Sequence, residues 1–298
     1  MQKLVTTSAG TFTTESAGPE GGPLVLLLHG FPQTRHTWRH QVPALGAAGY
    51  HAVAPDQRGY SPGVRPDPAA GLAAYAIERL VVDVLDLVEA ASDSTTASFH
   101  LVGHDWGGQV AWIVADRHPE RVISLSVLSR PHPAAFRRAL GENADGQQDR
   151  SRHHRAFHDP ATTALLLEGD ARRLRRLLAD SGVPPLAIAD YLSVLGDPAA
   201  LEAALARYRA AGDLTRVETG RITVPTLYLW GDADTTVGAS AAHWTGEFVS
   251  APFRFEAIEG VGHFITDQVP ELVTARFLAH LSSTAVAERE RAMLRGGR

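Results

Sequence analysis

The sequence predicts an α/β protein: a mostly parallel sheet with flanking helices and one inserted, wholly helical segment. Short apolar runs ending in Gly or Asp alternate with longer stretches of helical period, the pattern of a parallel sheet covered on both faces. The strand signal then disappears between Pro131 and about Gly220. The chain is also long enough, at 298 residues with 44% hydrophobic side chains, to bury a large core. The expected division is a core over residues 1–130, a helical cap over 131–220, and a second part of the core with a C-terminal tail over 221–298.

Leu24 to Leu28 is the first expected strand, closed by His29-Gly30, and Ala52-Val53-Ala54 is the next, closed by Pro55-Asp56. Ile77, Leu80, Val84, Leu87 and Val88 recur at three and four, which gives a helix one apolar face. Phe99 to Val102 is a third strand, followed by Gly103 to Gly108 and a helical run over Val110 to Ala115. Val122 to Leu128, Thr226 to Trp230 and Phe253 to Ile258 are further strands, and Glu271 to Leu281 is a helix after Pro270. Within the insertion, helical runs lie around Leu165 to Leu167, Leu174 to Leu178 and Leu201 to Tyr208. The tail from Ala285 is either a short surface helix or frayed.

Composition narrows the function classes. A net charge of −5 gives no electrostatic case for nucleic acid or an anionic membrane. There is no cysteine, which excludes disulfides, thiolate metal sites and Cys nucleophiles. No basic region precedes a long apolar run at the start, and the apolar stretches are too short to span a bilayer, so a cytoplasmic protein is expected. Lys3 is the only lysine among 28 basic residues, a bias that suggests a GC-rich bacterial genome. His154 and His158 stand one helical turn apart, but no third ligand follows at useful spacing; no metal and no cofactor are expected.

The sharpest motif is Gly103-His104-Asp105-Trp106-Gly107-Gly108 between a strand and a helix. It has the layout of a nucleophile elbow, small–any–nucleophile–any–small. So tight a reversal needs glycine at its flanks and leaves the middle residue exposed above the strand ends. Here that residue is an aspartate. A carboxylate is nucleophilic without a base, and it can displace a leaving group at a saturated carbon to form an ester. A helix N-terminus favours its anion, although Asp there can also serve simply as a cap.

Hydrolysing such an ester needs a base, an orienting acid and an oxyanion site. His263, in the glycine-rich Glu259 to Phe264 loop after the last strand, is the candidate base. Asp232 and Asp234, after the Thr226 to Trp230 strand, are candidate acids. The backbone N–H groups of Phe31 and Trp106 are candidate oxyanion donors, with Phe31 carried by the His29-Gly30-Phe31-Pro32 turn. His29 and Pro32 complete this substrate-side loop.

Together these motifs resemble the epoxide hydrolase branch of the α/β-hydrolase superfamily, whose nucleophile is a carboxylate. The resemblance covers nearly the whole chain through His29 to Pro32, Asp56 to Ser61, Gly103 to Gly108, Gly231 to Asp234 and Gly262-His263. The Asp56 to Ser61 turn marks the fold only. The resemblance implies an α/β-hydrolase fold and selects Asp234, since the usual spacing is Gly, two residues, then Asp. The order nucleophile, acid, histidine is thereby kept. It further implies two cap tyrosines that donate to the epoxide oxygen. Leu205-Ala206-Arg207-Tyr208-Arg209 looks like the segment of the second, which carries that role to Tyr208. At the first tyrosine's place the sequence has His153, and a shift of one residue would bring in His154. Tyr191 is read as structural.

The implied activity is hydrolysis of a small-molecule epoxide to a vicinal diol by a monomer or homodimer. Two other functions remain open. Haloalkane dehalogenases resemble the chain at Trp106, but Phe31 replaces their Asn, and fluoroacetate dehalogenases carry Arg where Trp106 stands. A noncatalytic binding protein on this fold is the other.

Overall fold

A computed structural model describes residues 1–211 and 218–296, with side chains through Thr284. Eight strands form one sheet: β1 (Gln2–Thr7), β2 (Gly10–Ala17), β3 (Leu24–Leu28), β4 (His51–Pro55), β5 (Phe99–His104), β6 (Val122–Leu128), β7 (Thr226–Gly231) and β8 (Phe253–Ile258). Their order is β1-β2-β4-β3-β5-β6-β7-β8. β1 and β2 pair antiparallel and β2 lies antiparallel to β4, while every pair from β4 to β8 is parallel.

Strands buried on both faces read as continuous apolar runs. β3 shows why: Leu24, Leu26 and Leu28 pack into one core, whereas Val25 and Leu27 pack into the core on the opposite face. α1 (Gln41–Ala47), with Val42 and Leu45, covers the second face. α2 (Ile77–Ser92) and α3 (Trp106–Arg117) cover the first, α2 through Leu80, Val84, Leu87 and Val88.

The N-terminal hairpin is not evident from apolar pattern. β1 is mostly exposed, and β2 buries Thr14 and Ser16 beside Phe12, so its inward face is largely polar and its alternation does not show as hydrophobicity.

Between β6 and β7 the described residues form helices and no strand: α4 (Pro133–Glu142), α5 (Gln147–Arg150), α6 (His153–Ala156), α7 (Thr162–Asp180), α8 (Pro185–Leu195) and α9 (Pro198–Ala211). α7 is interrupted by non-helical backbone over Glu168–Ala171, which is why its two apolar runs read as separate segments. Leu174, Leu178, Ile188, Leu192, Leu201 and Leu205 from these helices share one apolar cluster with Phe31, Tyr60, Trp106 and Phe264 from loops at the carboxyl ends of the strands. The helices therefore roof that end of the sheet.

α10 (Ala239–Trp244) follows β7, and α11 (Ile265–Gln268) and α12 (Pro270–Gly296) follow β8. α12 packs Val273, Phe277 and Leu281 under the second face, and its helical backbone continues to Gly296. The last two positions of the expected tail, 297 and 298, lie outside the described residues. Among the described residues no helix is long and apolar enough to cross a membrane.

Candidate active site

The sheet order sets β3 beside β5 and β7 beside β8, so loops distant in sequence meet at one end. Asp105 sits on the turn from β5 to α3 with φ 50° and ψ −117°, a conformation rare for a residue with a Cβ. The reversal is held open by glycines. A Cβ at Gly103 would lie 2.4 Å from the Gly107 carbonyl oxygen, and one at Gly107 would lie 2.1 Å from that of Leu28. A Cβ at Gly30 would lie 2.4 Å from the Asp105 Cβ. The loop after β3 is thus pressed against the elbow, and the Phe31 N–H donates to Asp105 Oδ1 at 2.9 Å.

His263 stands on the other side of Asp105, with Nε2 3.6 Å from Oδ2. Its Nδ1–H donates to Asp234 Oδ2 at 2.8 Å, which leaves Nε2 toward Asp105. Asp234 is itself fixed: Oδ1 accepts from the Thr236 N–H at 2.7 Å, the Thr236 hydroxyl at 2.8 Å and the Val237 N–H at 3.1 Å. Asp232, the other candidate acid, is exposed and accepts from the Gly260 N–H at 2.7 Å, tying the β7 loop to the β8 loop. The backbone of His263 is pinned as well, because its carbonyl accepts from His104 Nε2 at 2.9 Å and from the Ser129 hydroxyl at 2.8 Å.

Burial opposes the charge of Asp105, but the adjoining His263 and the Phe31 amide more than offset it, and its pKa falls well below the carboxylate range. Burial likewise works against the His263 imidazolium. The Asp234 charge, and Asp105 after it, outweigh burial and raise the pKa to about 10. The resting arrangement is an imidazolium between two carboxylates.

A cavity of about 690 Å³ opens above this line. Asp105, His263, Phe31, Pro32, His153, His154 and Tyr208 all line it. Tyr208 stands edge-on to Phe157, Trp106 and Phe31 at centroid distances of 4.8, 4.8 and 5.5 Å. Burial, and then the negative charge of Asp105, keep its phenol protonated well above its ordinary range. Both His153 and His154 reach the cavity, their rings 4.5 Å apart. His153 Nδ1 is engaged by the Arg150 carbonyl at 3.1 Å, which turns its other nitrogen free. Burial lowers both imidazoles, His154 to about 3.

Two expected residues stand behind the lining. Trp106 backs Tyr208. His29 is wholly buried, its Nδ1 2.9 Å from the Gly30 carbonyl and its Nε2 accepting from the Gln57 N–H at 3.2 Å; it shapes the loop that carries Phe31. Tyr191 lies in a separate network, donating to Asp267 at 2.8 Å.

Pattern reading did not anticipate Thr236, His104, Ser129 or Arg130. His104, Ser129 and Arg130 act through contacts with other elements, which no local pattern reveals, while Thr236 bonds Asp234 two residues before it and also reaches His263.

The family described as alpha/beta hydrolase fold matches residues 23–268, so the chain is in class an α/β hydrolase. Epoxide hydrolase A of Mycobacterium tuberculosis is 31% identical, covering 94% of this chain and 97% of its own. Mouse (Mus musculus) epoxide hydrolase 4 is 30% identical, covering 89% of this chain and 75% of its own. The crystal structure of a Bacillus megaterium epoxide hydrolase with an inhibitor superposes with a TM-score of 0.84 at 27% identity, covering 94% of this chain and all of that one. The chain belongs to the epoxide hydrolase branch of the α/β-hydrolase family.

Proposed function

We propose that the protein hydrolyses an epoxide to a vicinal diol, acting on an ether bond through a covalent ester on Asp105. The observation that carries this is the Asp105–His263–Asp234 line beneath the cavity, with an ionised carboxylate at the elbow. The names of the relatives supply the substrate class.

Asp105 Oδ1 is tied to the Phe31 amide, so Oδ2 is the oxygen free to attack. Oδ2 bonds to a ring carbon, the carbon–oxygen bond breaks, and its electron pair goes to the epoxide oxygen. That oxygen takes a proton from Tyr208, with His153 or His154 as the second group beside it. Esterification removes the charge of Asp105, which lowers the affinity of His263 for its proton. The imidazolium returns this proton to the tyrosinate and becomes the base. Water then attacks the ester carbonyl and gives its proton to His263. Charge on Oδ1 is met by the Phe31 amide and, from the helix side, the Trp106 amide, each worth about 3–4 kcal/mol. Collapse breaks the bond from the carbonyl carbon to Oδ2 and expels Oδ2 with its alkyl group as an alkoxide, which takes the proton left on the re-formed Asp105 carboxyl. The diol leaves, and Asp105 is again a carboxylate beside a protonated His263.

The position of Trp106 behind Tyr208 favours an epoxide over a haloalkane, since an indole outside the lining does not cradle a halide. We take residues 1–130 and 221–298 as the hydrolase core and 131–220 as its cap. We further take the protein as a bacterial cytoplasmic enzyme, a monomer or homodimer; the single lysine among 28 basic residues supports the bacterial part of that reading.

A single turnover in ¹⁸O-labelled water tests the central step. Label is expected in Asp105 after one cycle and in diol only on later cycles. Label passing straight into the first diol, or full turnover by Asp105→Ala, refutes the ester.

A further inference from the structure

Arg130, the second residue after β6, is only 5% exposed and lines the cavity that holds Asp105. It sits against the elbow, for a Cβ on Gly108 would lie 2.9 Å from the Arg130 Cβ. Its Nε donates to Gln109 Oε1 at 2.9 Å, and its guanidinium lies 4.3 Å over the Phe136 ring. Gln109 and Phe136 thus fix both the direction and the plane of the fork.

What the fork meets at its far end is unusual. The buried Arg35 and the half-buried Arg58 each pair with a carboxylate, Asp56 and Asp83. Among the described residues Arg130 pairs with none, and its Nη1 and Nη2 have no hydrogen-bond partner. Arg207 is also buried without an ion pair, but its Nε and Nη2 are sealed away from any space. The Nη atoms of Arg130 are not sealed, and the space beside them is the cavity. Asp145 and Asp149 also line this cavity; Asp145 Oδ2 is occupied by the Ser240 N–H.

A desolvated guanidinium whose two free nitrogens point the same way matches a planar anion bidentately. We propose that Arg130 binds a substrate carboxylate, so that the preferred substrate is an epoxy acid. This rests on the epoxide reading above. Phe31, Phe157 and Phe264 line part of the same cavity and suit an apolar body on that acid.

The test compares 3-phenylglycidate with the uncharged 3-phenylglycidol on wild type, Arg130→Gln and Arg130→Lys. Wild type should favour the acid in kcat/KM, and Arg130→Gln should lower that preference by about 10- to 100-fold, chiefly through KM, with partial recovery in Arg130→Lys. Equal losses on both substrates, or a wild-type preference for the alcohol, overturn the proposal while leaving epoxide hydrolysis intact. Should neither epoxide turn over, the epoxide reading fails, and calorimetric binding of phenylacetate against phenylacetamide then decides on Arg130. Tighter binding of the anion that is lost in Arg130→Gln supports it; equal binding ends it.

Discussion

At the scale of residues, the site is an arrangement of charges that no member would hold alone. Asp105 stays ionised because His263 is beside it, and His263 stays protonated because Asp234 and Asp105 face it. Ester formation breaks this mutual support, and a pH dependence follows with a definite sign. The pKa of Asp105 is depressed, so its ionisation does not change in the neutral range, and the rate of ester formation should be flat between about pH 5 and 8. In the ester His263 keeps only Asp234 as a counter-charge; the fraction still protonated must lose its proton before water can be activated, so ester hydrolysis should rise with pH until that fraction is gone. Rapid mixing with quenched mass spectrometry separates the two rates; a hydrolysis step falling with pH contradicts this order. In His263→Gln the base is missing while the nucleophile remains. The ester should accumulate, with hydrolysis slowed by about 10²–10⁴-fold.

Elements decide where those residues can be. The carboxylate reaches its place because β5 ends in a turn with no room for Cβ atoms at Gly103 and Gly107, and because Gly30 brings the β3 loop into contact with Asp105. Gly30→Ala should therefore cost both activity and stability. The new methyl meets the Asp105 side chain 2.4–2.5 Å away, and the carboxylate must move off the Phe31 amide. We expect a kcat loss of about 10²-fold, the scale of one misplaced reacting group, together with a lowered melting temperature, because the nearest atom is the Asp105 Cβ and not only its carboxylate. The elbow and the six parallel strands were legible in the sequence because each depends on local character: small residues at fixed offsets, or apolar runs between breakers. His263 and the pair Asp232 and Asp234 were legible as loop residues after recognisable strands, and the spacing of the resembled family singled out Asp234. The hairpin was not, since Thr14 and Ser16 hide its buried face. Thr236, Ser129 and His104 were not, since each acts on a partner from another element. Pattern also placed His29 on the substrate side, whereas it stands behind the lining; sequence gives its loop but not the direction of its ring.

Across the whole molecule, the helices between β6 and β7 are joined to the rest by more than apolar contact. Tyr191 of α8 donates to Asp267 of α11, and the same carboxylate accepts from Gln33 at 2.8 Å and Arg39 at 2.7 Å. Three distant stretches of chain, the segment from Gln33 to Arg39, α8 and α11, meet on one buried acid. Tyr191→Phe removes a donor yet leaves Asp267 with Arg39, so it should destabilise by about 1–3 kcal/mol in urea unfolding, with kcat close to wild type. A large loss of kcat without loss of stability would instead move Tyr191 into the reaction.

The separation of the reacting groups along the chain has a further effect during synthesis. Asp105 and the Phe31 amide precede the long helical insertion, and Asp234 and His263 follow it. A ribosome that has made everything through α9 carries the nucleophile without its imidazole. Reactive metabolites that alkylate a half-made polypeptide at Asp105 would leave an ester that persists until Asp234 and His263 have been made and folded against it.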